Sequence, residues 1–300
     1  MTVYMAQILL AILLVLAGGY ALPDLSRWRD FSWLQVWIAQ WTRASGDAAR
    51  PRMPAILLPL LLVLVCALIQ LLLGHMLFGL PAFAFGVAVL FYCWGPRDLD
   101  ADIEAVLKAP DSDRRNTAVQ ALRADTASVP LAFESGALVE ATFEAALSRW
   151  FGVLFWFVVL GPAGALGYRV VQLLARSPAF NDGIDAAQRD MLERTARILD
   201  WAPAHIVTLT LALVSDFDAV IASWRAYHAA HDKGYFTLDL GFLGAVAKAG
   251  IDADVEAGDG YATDISNPLV ELADAQRALR RILVGWLALI ALVALIVLTR

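Results

Sequence analysis

Apolar stretches long enough to fill a bilayer constrain this 300-residue chain more than any other feature. The hydrocarbon core is ~30 Å thick and a helix rises ~1.5 Å per residue, so a spanning helix needs ~20 mostly apolar residues. Residues 3–19 form the first such stretch. The nearly unbroken apolar run from Ala55 to Trp94 is too long for one crossing and reads as a helical hairpin, 55–73 and 77–94, turning at Gly74-His75-Met76. Pro81 and Gly86 leave a re-entrant second arm as the alternative. Residues 151–174 and 282–298 complete the set, neither carrying an acidic residue. With 60% of residues hydrophobic and 17% charged, the expected fold is all-α. It is a polytopic membrane bundle of five or six apolar helices with cytoplasmic helical segments.

Residues 3–19 read as an uncleaved anchor, because a cleaved signal would want a basic region in Met1–Met5 and none is there. Orientation follows Lys and Arg. Arg27, Arg29, Arg43, Arg50 and Arg52 lie between the first two stretches, which places that loop in the cytoplasm and the N-terminus outside. Residues 95–150 then also fall inside, with short helical patterns such as Val139, Phe143 and Leu147 at four-residue spacing. Residues 202–214 are contested. Their length suits a buried or interfacial helix, whereas keeping Arg277, Arg280 and Arg281 inside requires a crossing. The acidic, Gly-rich segment 251–267 reads as a loop.

Little of this sequence carries a chemical signature. A net charge of −6 without a long Lys/Arg run excludes a nucleic-acid footprint. Cys66 and Cys93 sit in apolar stretches, where a thiol behaves as a small hydrophobe. Trp33, Trp37 and Trp41 fall four apart beside Trp28, as on a helix lying in the headgroup layer or packed against protein. His228-Ala-Ala-His231-Asp232 has a spacing that can clasp a metal, but without a third ligand a solvated face is the better reading. Asp252-x-Asp254-x-Glu256 starts like a calcium loop and fails at Ala257 and Thr263. Phosphate-cradling, zinc-protease and nucleophile-elbow motifs are missing, so no metal or cofactor is expected from the residues themselves.

LFWFVVLGPAGALGYRVVQLL, Leu154 to Leu174, carries its worst helix formers at its centre. Pro162 lacks an N–H and should kink or break the helix there. Gly161, Gly164 and Gly167 offer close approach to a neighbour, which is pure packing on one reading. On the other, a broken helix followed by Tyr168-Arg169 lines a polar site inside the bundle.

Glu140, Glu144, VLFWFVVLGPAGALGYRVVQLL and ILDWAPAHIV (Ile198–Val207) together resemble the AmpE family of bacterial inner-membrane proteins. More distantly the same residues resemble the CobD/CbiB cobalamin-biosynthesis family, with its E-x-x-x-E-N, PLFW and GGP-x-GA-x-x-Y-[RK] motifs. This chain has Ala145 in place of the Asn, and Gln172-Leu173-Leu174-Ala175 in place of an Asn-x-x-Asp. The C-terminal R-D-A-S-K-H-P-S-P-N-A-G block has no counterpart, and His205 stands where AmpE relatives often have Arg. The AmpE resemblance implies a regulatory protein linked to β-lactamase induction and cell-wall recycling, with a protein partner in that pathway. The cobalamin resemblance implies an ATP-dependent amide-forming enzyme, with Glu140, Glu144 and Asp200 as its carboxylates. If a site survives, Glu140, Glu144, Tyr168, Arg169 and Asp200 should converge near the kink, because buried charges need partners.

Overall fold

The structure, a computed structural model, describes residues 2–21, 29–44, 54–74, 79–95, 98–123, 130–181, 184–231, 234, 236–256 and 267–298. Among the described residues every regular element is helical. The chain begins with α1 (Thr2–Ala21), α2 (Ser32–Ala44), α3 (Leu57–Gly74), α4 (Leu80–Cys93), α5 (Leu99–Leu107) and α6 (Ser112–Leu122). Then α7 (Ser135–Ala146) passes through a π turn (Leu147–Phe151) into α8 (Gly152–Leu160), followed by α9 (Pro162–Arg176) and α10 (Pro178–Asn181). The rest is α11 (Ala186–Val214), α12 (Phe217–His231), α13 (Phe242–Glu256) and α14 (Pro268–Leu298). Among the described residues four stretches are long and apolar enough to cross a membrane: Leu57–Gly74, Ser135–Leu160, Ala186–Val214 and Pro268–Val297. Shorter apolar helices lie at Ala6–Gly19 and Leu80–Cys93, so the protein is a helical membrane protein.

Two compact units emerge: Met1–Pro96 with Gly152–Leu199 and Ala291–Arg300, and Arg97–Phe151 with Asp200–Ile290. The first is built around α9, of which all residues but Leu166 and Arg176 are buried. Residues 151–174, expected as one kinked span, are instead two helices that reverse on each other. Gly152 of α8 faces Tyr168 of α9, and Trp156 and Leu160 face Gly164, so the contacts pair the two helices across the turn at Gly161. Gly161 makes the reversal at φ 69°, ψ −155°, backbone essentially reserved for glycine. Its N–H closes α8 on the Phe157 carbonyl at 2.8 Å, and its own carbonyl accepts from Gly164 and Ala165. Pro162 therefore interrupts nothing, since it occupies the first turn of α9, where no N–H is needed. The other side of α9 meets α3, where a Cβ on Gly167 would lie 2.5 Å from Val63 Cγ2. The tryptophan stripe divides: Trp33 Nε1 donates to Tyr92 Oη at 2.7 Å, while Trp37 is exposed. Trp28 and the side chain of Trp41 lie outside the described residues.

Ion pairs join helices of the second unit. Asp98 and Asp111 cap α5 and α6, their carboxylates accepting from the Asp100 and Arg114 backbone N–H groups. The π turn carries Arg149 inward, where it donates to Asp102 Oδ2 at 2.8 Å and to the Leu122 carbonyl at 3.1 Å. Both partners of this ion pair are buried. Residues 202–214 are no separate element, since α11 runs through Pro203 from a polar first half. Leu192, Ala196 and Asp200, four apart in that helix, are all buried. Ile251–Glu256 continue α13 instead of beginning a loop, because buried Ile251 extends the face of Phe242, Ala247 and Gly250. Residues 257–266 of that expected loop lie outside the described residues.

Candidate functional site

In the first unit Tyr168 and Arg169 are each 1% exposed. A Cβ on Gly152 would come 2.6 Å from Tyr168 Cε1 and closer still to Cζ and Oη, so the phenol ring fills the notch that this glycine leaves. Arg169 Nε donates to the Cys93 carbonyl at 2.9 Å. Cys93 ends α4, where carbonyls lack helical partners and the helix dipole is negative, so a guanidinium there is favoured twice over. Both residues tie α9 to its neighbours.

Glu140, Glu144 and Asp200 belong to the second unit. Glu140 and Glu144 are exposed one turn apart on α7, whereas Asp200 is fully buried in α11. Three of the five expected residues thus fall in one unit and two in the other. Two glycines set α13 against α7 in antiparallel register. A Cβ on Gly244 would lie 2.6 Å from Glu140 Cγ, and one on Gly136 would lie 3.5 Å from Lys248 Cδ. Lys248 Nζ donates to Asp252 Oδ1 at 3.1 Å and sits 3.7 Å from Glu271 Oε2. The Glu271 side chain is 1% exposed and that of Lys248 40%, so a buried carboxylate fixes from behind an ammonium that solvent can reach. Tyr227 Oη donates to Asp239 Oδ2 at 3.1 Å. Burial first, then that bond and the nearby Asp239 and Glu140 charges, hold its phenol above the usual tyrosine range. The exposed face of this cluster offers ion-pair and hydrogen-bond recognition.

Lys248 and Glu271 were not among the expected site residues. The available signal was a lysine one turn before an aspartate in the small-residue helix GFLGAVAKAGIDADVE, but Glu271 comes from another helix. His228 departs from the solvated reading, being 4% exposed, with Nδ1 donating to the Trp224 carbonyl at 2.8 Å and its ring against Phe242. His205 makes the same bond to the Trp201 carbonyl at 2.7 Å and also packs on Phe242. The His231 side chain lies outside the described residues. Asp254 accepts from Ser215 Oγ at 2.9 Å, a structural bond joining α13 to the end of α11. Among the described residues no three His, Cys, Asp or Glu side chains are grouped to hold a metal.

Apolar helices, a glycine-made helical hairpin with a buried Tyr-Arg pair, and an exposed acidic face define a multi-pass helical membrane protein. A family model described as CobD/Cbib protein matches residues 8–236. The chain belongs to that family. No curated protein and no solved structure matches it.

Proposed function

We propose that this chain is a regulatory, partner- or ligand-binding member of the family, of the AmpE kind, serving β-lactamase induction and cell-wall recycling. Its place is the bacterial inner membrane, with a periplasmic N-terminus, as the arginines between the first two apolar stretches direct. The observation that carries this reading is the use made of the family-like GP-x-GA-x-x-Y-R block. Tyr168 fills the Gly152 notch and Arg169 caps α4, so both support the fold. Loss of the C-terminal block leaves an ATP-driven reaction without the positioned charge it needs at the phosphates. The exposed Glu140 and Glu144 of α7, the helix on which α13 packs, are then a recognition surface for a partner.

The family match itself favours a second reading, a membrane-bound amide ligase using ATP, with Glu140, Glu144 and Asp200 as carboxylates. Two measurements separate the readings. Titrating ATP to millimolar concentration into the detergent-purified protein should give no binding, and deleting the gene should change β-lactamase induction by a cell-wall antibiotic. Saturable ATP binding with unchanged induction would overturn the regulatory reading.

A further inference from the structure

Within the first unit, α1, α3, α4 and the turn of the α8–α9 hairpin line a half-open cavity of about 360 Å³. That volume falls at the lower end of small-molecule sites, roughly 300–1,000 Å³. Gly161 and Pro162 form one wall, Phe83 and Phe157 give it aromatic surface, and Gln7 and Gln70 supply its carboxamides. Gln7 is the only carboxamide or ionisable side chain in α1 apart from Tyr4 and Tyr20, and Gln70 has only Cys66 for company in α3. A polar group in an apolar span is costly where it faces lipid, so such groups turn to the bundle interior or to a cavity. Here both turn to the same one.

Among the described residues neither carboxamide has a hydrogen-bond partner in the protein, and no charged side chain lines the cavity. Each carboxamide can donate and accept. A ligand head with a hydroxyl or amide satisfies both, whereas a buried phosphate, carboxylate or ammonium would lack a counter-charge. The remaining lining is apolar and suits an alkyl chain.

We infer that this cavity is a binding site for an uncharged amphiphile, its hydroxyl or amide head held by Gln7 and Gln70 and its aliphatic part laid along Phe83 and Phe157. The site does not depend on the regulatory reading above.

The test uses full-length protein in detergent and 1-monooleoylglycerol carrying a chain diazirine, with labelled peptides mapped by mass spectrometry. The expected result is saturable labelling on cavity residues of α1, α3 or α4, displaced by unlabelled 1-monooleoylglycerol and much less by oleate or oleylamine. Gln7→Leu and Gln70→Leu should each weaken displacement about fivefold, one neutral hydrogen bond apiece. Ala82→Phe, which fills the cavity from its lining, should abolish labelling. Non-saturable labelling spread over the outward face of Leu61, Leu64 and Leu68 would overturn the proposal, as would equal displacement by the charged amphiphiles. Because that last comparison uses wild-type protein, it decides the matter even if a variant fails to fold.

Discussion

Replacing Gly152 by alanine should separate packing from chemistry at the family-like Tyr-Arg pair. The added methyl would lie 2.6 Å from Tyr168 Cε1 and closer to Cζ and Oη. The obstacle is a rigid ring only 1% exposed, with no free end to swing aside. Such overpacking typically costs about 1–3 kcal/mol, and three clashing ring atoms place this case at the upper end. Tyr168→Ala alone should cost about 3–5 kcal/mol, as large aromatic deletions do. In the double variant the methyl enters the space the ring has left, so the total should stay near that of Tyr168→Ala, and the coupling should nearly equal the whole Gly152→Ala penalty. Equilibrium unfolding in mixed micelles with SDS measures this, and the free, buried Cys66 and Cys93 report it through their reactivity toward a thiol dye. If the two substitutions add within about 0.5 kcal/mol, the notch argument is refuted, because independent sites behave that way.

Gly161→Ala should cost about 1–3 kcal/mol through backbone strain alone, read as a lowered melting temperature; an unchanged Tm would mean the reversal is made differently. Arg149→Met should cost about 3–5 kcal/mol by taking the guanidinium away from buried Asp102, and adding Asp102→Leu should recover much of it in the same unfolding assay. The raised Tyr227 phenol favours the neutral form in the folded state, so stability should be undiminished below about pH 10 and lost as pH rises from there through the folded value. Tyr227→Phe should flatten that alkaline slope in unfolding curves measured across the range.

The apolar runs made the membrane helices legible: 55–73 was expected where α3 covers Leu57–Gly74, because run length and hydropathy are local properties. The Gly-Pro segment was legible as an interruption and illegible as a reversal. A proline inside a kinked helix and a proline opening a new helix look alike in sequence. What distinguishes them is the backbone of Gly161 and the meeting of Gly152 with Tyr168 sixteen positions on. Tyr168 and Arg169 were visible as residue types, but their partners, Gly152 and the Cys93 carbonyl, are not neighbours in sequence. Lys248 with Glu271 escaped for the same reason. The start of α11 escaped because its first half is too polar for a hydropathy rule, although Leu192 and Ala196 anchor it.

A doubled-back α8 and α9 alters how this chain is threaded. Since Gly152 lies opposite Tyr168, the polypeptide arrives and departs at the same end of the hairpin. Compartment tags placed before Ser135 and after Arg176 should therefore report the same aqueous phase, and the helical stretch Ser135–Leu160 together with α9 contributes two passes or none to any topology, never one.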